Sequence, residues 1–322
     1  MIPESLCNRV YFSALLPEVC PVTYKGLADV LDRYGVPFSL LKGTKDIWCR
    51  DYMPLQMTDH EFVAFGYRPD YLMDTAAHRK SITDGYEVAH INGFDHVYDR
   101  RDIILDGGNT VHSGKKVILT DKVFEENPVL SHDYLCQRLR MSLGAEPLFV
   151  PWDANEIYGH TDGVVRFIDE DTVLMTNYAQ LDSKMAGRFR RCLEPHFKTI
   201  HELRFDIKKP YKNNWAYINW LQTDKVLIFP KFNAPEDEQA FEQISTLMPE
   251  YEGKIVTVEA TDLIRHEGCL NCASWTVYEP ERDRLRTHFL KHYRHINLGE
   301  VIGFCFLSLP SLSFCQVNPP AA

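Results

Sequence analysis

The sequence places several polar side chains at the beginnings of apolar, strand-like runs. Cys272 lies in RHEGCLNCASWTVY, residues 265–278, and its thiol could act as a nucleophile. Two groups that could assist a nucleophile by proton transfer, His160 and Asp162, occur together in YGHTDG. Comparable positions before other apolar runs are held by Asp51 in DIWCRDYMP, Asp106 and Asn109 in ILDGGNT, and Asn219 in YINW. This set suits thiol chemistry, provided that the fold brings its members together.

Each of these residues also has an ordinary structural interpretation. Cys272 lies in an alternating apolar segment, where a cysteine is usually an inert core residue. Cys269, three residues earlier, competes with it as the reactive thiol. His160 and Asp162 could cap a turn, and Asp51 could pair with the arginine that precedes it. On the residues alone, both interpretations stay open.

Other kinds of site fit the sequence poorly. Cys269 and Cys272 form a CxxC pair, but no second pair at zinc-site spacing accompanies it, so we predict no metal site. The pair opens a predicted strand and lacks the strand-to-helix setting of a thiol-disulfide oxidoreductase. No glycine-rich loop followed by Lys-Ser/Thr is present, which argues against a nucleotide site. We therefore expect no cofactor.

Hydrophobic periodicity predicts a repeated order of two strands, a helix and a third strand. Predicted strand pairs begin near Tyr52, Ile103, Gly163, Ala216 and Leu270, at intervals of about 51 to 60 residues. The predicted helices span 127–143, 182–197 and 235–247, and the strands that follow them span 146–151, 199–205 and 254–259. Residues 10–41 supply the strand, helix and strand that the fifth pair lacks. The segment 68–101 is predicted only as a long connection, helical near residues 75–80, and a polar helix is predicted over 282–292.

We infer a closed ring of five ββαβ units, an α/β propeller with a pocket at its axis. The last unit closes when the strand that carries Cys272 pairs with the strand at 10–15, which also removes exposed sheet edges. Every first strand would then start at the same end, so that residues about 220 positions apart meet in one central pocket. A linear α/β sheet is the alternative, and the polar residues at the strand starts favour the ring.

The composition indicates a globular protein with a reduced environment. The chain has 322 residues, of which 45% are hydrophobic and 25% charged. Its net charge of −10 argues against a nucleic-acid partner and favours a cationic ligand. Nine cysteines without regular spacing indicate a cytoplasmic protein. We expect neither a signal peptide nor a membrane span, because the first residues lack a basic region and no apolar run reaches about 18 residues.

Four motifs in order carry a resemblance to a known family. They are DIWCRDYMP at 46–54, LDGGN at 105–109, GHTDG at 159–163 and the pair Asn271-Cys272. Together they resemble the agmatine deiminase and bacterial peptidylarginine deiminase family of guanidino-group-modifying enzymes. The resemblance spans residues 46–274 and implies the five-bladed pentein fold. It implies one catalytic domain over residues 1–300, whereas residues 301–322 have no counterpart and form an extension.

The resemblance also implies a role for each motif residue. Cys272 would attack the guanidino carbon, His160 would transfer protons, and the carboxylates of Asp51 and Asp162 would hold the guanidinium. The residues implied to bind substrate are Trp48, Asp106, Asn109 and Asn219. The implied reaction is hydrolysis of agmatine or a related arginine derivative, through a covalent thiouronium, to a ureido product and ammonia. It needs no metal and no cofactor.

Two features depart from the family pattern. Asp106 stands where the family usually has glutamate, and residues 267–271 lack the usual glycine-rich loop with a histidine before the nucleophile. The alternatives are a peptidylarginine deiminase, an amidinotransferase with the same intermediate, and a non-catalytic binding protein on the same fold. The predicted partner is a small cationic guanidino substrate, without nucleic acid or membrane. The oligomeric state, with a homo-oligomer among the options, stays open.

Overall fold

Five three-stranded sheets make up the computed structural model, which describes residues 1–209 and 211–280. Their strands are β1 (Arg9–Ser13), β2 (Phe38–Leu41), β3 (Leu55–Gln56), β4 (Phe62–Gly66), β5 (Val97–Ile104), β6 (Val111–His112), β7 (Lys116–Thr120), β8 (Glu146–Val150), β9 (Val165–Phe167), β10 (Thr172–Met175), β11 (Thr199–Glu202), β12 (Leu221–Gln222), β13 (Leu227–Lys231), β14 (Ile255–Glu259) and β15 (Ser274–Val277). The helix predicted at 282–292 and the extension at 301–322 lie outside the described residues.

Helices connect the second and third strands of the sheets. They are α1 (Leu16–Val19), α2 (Pro21–Arg33), α3 (Cys49–Tyr52), α4 (Ala76–Ser81), α5 (Gly85–Ile91), α6 (Lys122–Glu126), α7 (His132–Leu143), α8 (Tyr178–Leu181), α9 (Ser183–Leu193) and α10 (Asp237–Leu247). Of these, α3 alone precedes a hairpin instead of crossing between strands. The mixture of helices and sheets confirms the predicted α/β class.

Each sheet has the same internal order, an antiparallel pair followed by a parallel strand. The first four sheets use consecutive strands, from β3-β4-β5 to β12-β13-β14. In the fifth sheet β15 pairs antiparallel with β1, with Val10 opposite Thr276, and β1 pairs parallel with β2. A parallel pair needs a crossover connection, which the helices provide. The predicted ββαβ repeat is therefore confirmed, with its fifth copy divided between residues 9–41 and 274–277.

Local sequence signals set the ends of the crossover helices. The Ser131 side chain accepts a hydrogen bond from the backbone N–H of Tyr134 and caps α7, and Asp182 caps α9 in the same way. Gly144 ends α7 with φ of 60°, a left-handed conformation that glycine adopts at little cost. These helices then bury one apolar face each, formed by Leu135, Leu139 and Leu143 in α7 and by Met185, Phe189 and Leu193 in α9.

The segment 68–101 is more regular than the sequence indicated. Its α4 agrees with the helical part predicted near residues 75–80. The following α5 is capped by Asp84, whose side chain accepts hydrogen bonds from the N–H groups of Tyr86 and Glu87. The segment then enters β5, which pairs with β4 and completes the first sheet.

The predicted first strands are wrong at their beginnings. Each hairpin is preceded by a helical turn: α3 in the first unit, and 3-10 turns at Gly107–Asn109, Thr161–Gly163 and Asn214–Ile218 in the next three. Cys272 likewise lies in a turn before β15 and not within the strand. The same side chains are buried in either conformation, so the spacing of apolar residues could not separate a turn from a strand.

Hydrogen bonds between these turns link the five units in a circle. They run from the Arg50 N–H to the Cys272 carbonyl (3.0 Å), from the Gly108 N–H to Asp51 Oδ1 (3.2 Å), from Thr161 Oγ1 to Asn109 Oδ1 (2.7 Å), from Asn219 Nδ2 to the Asp162 carbonyl (3.4 Å), and from the Asn271 N–H to the Asn219 carbonyl (3.1 Å). Each turn thus pairs at least one backbone or side-chain polar group with a neighbouring unit.

Apolar contacts surround this polar centre. The largest hydrophobic cluster joins α2, the fourth sheet and the fifth sheet, and contains the fully buried rings of Tyr217, Trp220 and Phe229. Burial of large aromatic rings dominates the stability of such cores. In the described part of the chain, no helix has the length and apolar content required to cross a membrane.

Candidate active site

The turns that join the units surround one cavity of about 710 Å³. Its lining includes Trp48, Asp51, His160, Asp162 and Cys272, five of the eight residues singled out from the sequence. Two different turns and α3, with the residue that precedes α3, contribute them, so their proximity depends on closure of the ring. A cavity of this size accommodates a small organic molecule.

The Cys272 thiol is held between a carboxylate and an amide. Its Sγ lies 3.7 Å from Asp162 Oδ2 and 3.3 Å from Asn219 Oδ1, and its backbone N–H also donates to Asn219 Oδ1 at 3.2 Å. Burial raises the pKa of the thiol well above its usual range, and the carboxylates of Asp162 and Asp51 raise it further. A cation placed beside the sulfur would therefore be needed to favour the thiolate.

His160 lies between two carboxylates. Its Nε2 is 3.1 Å from Asp106 Oδ2, and its Nδ1 is 3.6 Å from Asp51 Oδ1. Burial alone would lower the pKa of His160, but Asp51 and Asp106 outweigh burial and raise the pKa to about 10. The two carboxylates therefore favour the imidazolium form, which can donate a proton to a leaving group.

Asp51 is the carboxylate of α3 that faces the cavity. It accepts a hydrogen bond from the Gly108 N–H, and burial raises its pKa to about 8, with Asp106 and Asp162 adding to the rise. A Cβ atom at Gly108 would lie 2.6 Å from both Asp51 Oδ1 and His160 Nδ1. Glycine is required at this position because the backbone passes against both catalytic candidates.

Trp48 forms one wall of the cavity. Its ring packs against Gly268, where a Cβ atom would lie 2.3 Å from Cζ3 of the indole. The loop before Cys272 therefore approaches Trp48 as closely as a backbone can. This contact couples the position of the aromatic wall to the loop that carries the thiol.

Asp106, Asn109 and Asn219, the other three candidates, are buried but do not line the cavity. Asp106 binds His160. The Asn109 side-chain oxygen accepts hydrogen bonds from the Thr120 N–H and the Thr161 hydroxyl, both at 2.7 Å. The Asn219 oxygen accepts from the N–H groups of residues 271 and 272. The hydrogen bonds of these three residues hold the loops that carry the cavity-lining groups.

A family model, Porphyromonas-type peptidyl-arginine deiminase, matches residues 36–277 of the chain. The match covers all four motifs, all five sheets in part, and each of the eight candidate residues. The chain belongs to this family.

Individual relatives are distant. A candidate agmatine deiminase of Enterococcus faecalis is 25% identical over 234 residues, which cover 61% of this chain and 61% of that protein. One of Marinomonas is 24% identical over 281 residues, covering 73% of this chain and 74% of that protein. The matched part thus spans less than two thirds of the length of the Enterococcus relative.

Solved structures share the fold at lower identity. A structure of the agmatine deiminase of Enterococcus faecalis superposes with a TM-score of 0.67 at 18% identity, covering 86% of this chain and 95% of that one. A candidate arginine deiminase from Porphyromonas gingivalis gives 0.65 at 18%, covering 85% and 97%. An amidinotransferase from Microseira wollei gives 0.53 at 12%, covering 84% and 94%. These likenesses establish the pentein fold.

Sequence reasoning missed several residues of the cavity. The aromatic residues include Tyr71, Trp152, Tyr158, Tyr178 and Trp215. Charged lining residues other than histidine are all acidic in the part of the chain that the structure describes: Asp46, Asp51, Asp153, Glu156, Asp162, Asp182 and Glu267. One sequence signal was available for three of these residues, namely their position within or next to the family motifs: Asp46, Tyr158 and Glu267.

The structure also separates the two cysteines of the CxxC pair. Cys269 is fully buried in the largest hydrophobic cluster and does not line the cavity, whereas Cys272 does. Burial raises the pKa of the Cys269 thiol as well, and the residue has no exposed surface that a substrate could reach. Among residues 1–209 and 211–280, no group of three or more His, Cys, Asp or Glu side chains could hold a metal ion.

Proposed function

We propose that the protein is a guanidine deiminase, which hydrolyses the guanidino group of agmatine or a related arginine derivative to a ureido product and ammonia. The observation that carries this proposal is the set of groups at one cavity wall. The Cys272 sulfur lies 3.7 Å from Asp162, and the same cavity is lined by Asp51 and by His160, whose imidazolium form is favoured by the neighbouring carboxylates. A nucleophile, two carboxylates and a proton donor are what the reaction requires.

Binding of the substrate would activate the thiol. A guanidinium is planar, permanently charged and rich in N–H donors, so the two carboxylates of Asp51 and Asp162 are suited to hold it by paired hydrogen bonds. Its positive charge beside the Cys272 sulfur offsets the effect of burial and of both carboxylates on the thiol pKa. The thiol then releases its proton to solvent as the cation enters.

Two displacement steps complete the reaction. The Cys272 thiolate forms a C–S bond to the guanidino carbon, and His160 protonates one nitrogen as its C–N bond breaks, which releases ammonia and leaves a thiouronium. The neutral His160 then takes a proton from water, whose oxygen adds to the same carbon. Collapse of this adduct breaks the C–S bond, regenerates the thiolate and releases the ureido product.

The charges of the cavity favour a substrate with a second cationic group. The lining residues described include seven carboxylates and neither lysine nor arginine. Free arginine has a carboxylate that would face these acids without a cation to bind it, whereas agmatine has an amine at the same end. A negative cavity concentrates cations and repels anions. We therefore rank agmatine above free arginine.

The test is ammonia release from agmatine, free arginine and a blocked peptidyl-arginine. Wild-type protein is compared with Cys272→Ala and with Cys136→Ala, which removes a half-buried thiol on α7 distant in sequence from the motifs. We expect release from agmatine by wild type and Cys136→Ala, none by Cys272→Ala, and modification of Cys272 by 2-chloroacetamidine. Release from the peptide alone would reassign the substrate. Absence of both ammonia release and Cys272 modification would refute the proposal.

A further inference from the structure

A buried ion-pair network lies behind the cavity wall. Arg50, the residue before Asp51, is buried, and its guanidinium does not pair with Asp51 as the sequence alternative supposed. Its Nη2 lies 2.9 Å from Glu4 Oε1. The second carboxylate oxygen of Glu4 binds Arg166, a buried residue of β9 whose guanidinium lies 5.0 Å from the centre of the Trp220 ring. One carboxylate thus serves two buried cations.

The same guanidinium reaches the nucleophile loop. Arg50 Nη2 donates to Asn271 Oδ1 at 2.9 Å, and Asn271 Nδ2 donates to Asp162 Oδ2 at 2.7 Å. The backbone N–H of Arg50 also donates to the Cys272 carbonyl at 3.0 Å. An amide between a cation and a carboxylate has one favourable orientation, with its oxygen towards the cation and its NH₂ towards the carboxylate. Arg50 therefore orients Asn271.

We propose that Glu4 is a positioning residue for the candidate active site. Its carboxylate holds the Arg50 guanidinium, which holds the Asn271 amide against Asp162 and the turn that carries Cys272. Without Glu4, Arg50 and Arg166 are two buried cations that share no anion, and Arg50 must find another acceptor. Asn271 then loses its fixed orientation, and its amide no longer fixes the distance between Cys272 and Asp162.

The chain contains a matched control for loss of a buried ion pair. Arg9 Nη1 lies 3.0 Å from Glu279 Oε2, with side-chain exposures of 10% and 17%, against 7% and 17% for Arg50 and Glu4. The Arg9 guanidinium donates hydrogen bonds to Glu279 and Ser39, which lie away from the nucleophile turn in sequence. Glu4→Gln and Glu279→Gln therefore each remove a carboxylate of similar exposure from a buried arginine, and the hydrogen bonds described above connect the first to Cys272.

The turnover measurement rests on the proposed function, whereas the rate constant for Cys272 modification does not. Active sites are titrated with 2-chloroacetamidine, kcat for agmatine is expressed per titrated site, and the rate constant for Cys272 modification is measured in parallel. We expect Glu4→Gln to lose about 10- to 100-fold in kcat per site, as small displacements of reacting groups do. Glu279→Gln should lower the melting temperature with kcat per site unchanged.

A double-mutant cycle tests the route. If Glu4 acts through Asn271, then Glu4→Gln combined with Asn271→Ala should lose no more than Asn271→Ala alone, because residues in one network do not act additively. A kcat per site equal to wild type in Glu4→Gln, or losses that multiply in the double variant, would overturn the proposal. If wild type releases no ammonia from any guanidine, the proposed function fails, and the same comparisons are made on the modification rate constant.

Discussion

Replacement of Asp106 by asparagine should lower the pKa of His160 and move the alkaline limit of activity towards neutral pH. Asp106 Oδ2 lies 3.1 Å from His160 Nε2, and the side chain is buried. Asparagine has the same shape and can accept the same hydrogen bond through its amide oxygen, so the substitution removes the charge while it keeps the geometry. Asp102→Asn, which removes an exposed partner of Arg138, is the matched control.

The size of the effect follows from two distances. The pKa of His160 is about 10 against an ordinary 6.5, a rise of about 3.5 units that corresponds to about 5 kcal/mol in favour of the imidazolium. Asp106 lies 3.1 Å and Asp51 3.6 Å from the ring nitrogens, so Coulomb's law assigns roughly half of the attraction to Asp106. Because burial lowers the pKa of His160 while the carboxylates raise it, removal of half of the attraction lowers the pKa by at least half of that rise.

The sign of the change follows from the role of His160 as a proton donor. Activity is lost as pH rises through its pKa, because the neutral imidazole has no proton to give. At pH 9 a group of pKa 10 is about 90% protonated, and a fall of about two units in its pKa leaves about 10%, so kcat should fall at least roughly tenfold at pH 9 and less at pH 7. Asp106 also raises the pKa of Asp51, so the acid limit should move in the same direction.

The assay is the pH profile of kcat and kcat/KM for agmatine, accompanied by an NMR titration of the His160 ring, assigned with His160→Gln. We expect both limits of the Asp106→Asn profile at lower pH and the Asp102→Asn profile superimposed on wild type. An alkaline limit that stays in place, or a His160 ring that is neutral at pH 7 in wild type, would refute the reasoning from charge.

Three further changes test other parts of the site. Asp162→Asn should lower kcat/KM for agmatine by about 10²- to 10³-fold, because a charge that holds the guanidinium is lost. In the same variant, neutral iodoacetamide should modify Cys272 faster, because the carboxylate no longer raises the pKa of the thiol. Gly108→Ala should lower kcat by about 100-fold, because its Cβ would displace Asp51 and His160. Lys122→Met should lower the free energy of unfolding, measured in urea, by about 3–5 kcal/mol. The buried Lys122 ammonium donates to the carbonyls of residues 157 and 158, just before His160, and the substitution leaves these carbonyls without that donor.

Each of these changes has a control on the same chain. Asp182→Asn removes another cavity carboxylate and should leave iodoacetamide modification unchanged. A Cβ atom at Gly187 in α9 would meet only the end of the Arg191 side chain at 3.5 Å, so Gly187→Ala should keep full activity. Lys198 is 80% exposed in its ion pair with Asp171, so Lys198→Met should not change unfolding. Equal effects in a variant and its control would contradict the corresponding explanation.

The repeated order of elements was predictable because it depends on local patterns. Apolar spacing is a property of neighbouring residues, and it located most helices and hairpins. The caps at Ser131 and Asp182 and the turn at Gly144 are local signals of the same kind. The starts of the hairpins were not predictable in this way. Residues such as Gly107–Asn109 and Thr161–Gly163 form 3-10 turns whose polar groups bond to a different unit of the ring. A partner more than 50 residues away leaves no mark on local periodicity.

The sequence by itself determined which residues could react and the family to which they point. It contained the thiol of Cys272, the His160–Asp162 pair and the glycines that let Asp51 approach, and their order along the chain was sufficient to recognise the family. The tertiary structure decided which of these residues share a cavity. It buried Cys269 in the core and exposed Cys272 to the cavity. It placed Asp106 and Asn219 outside the cavity lining, where they bind residues that form the lining. It also joined Glu4 to Arg50 and Asn271, a connection that exists because closure of the ring brings residues 4, 50 and 271 together. Reactivity depends on the distances and burial of side chains far apart in sequence, and only the closed ring sets these quantities.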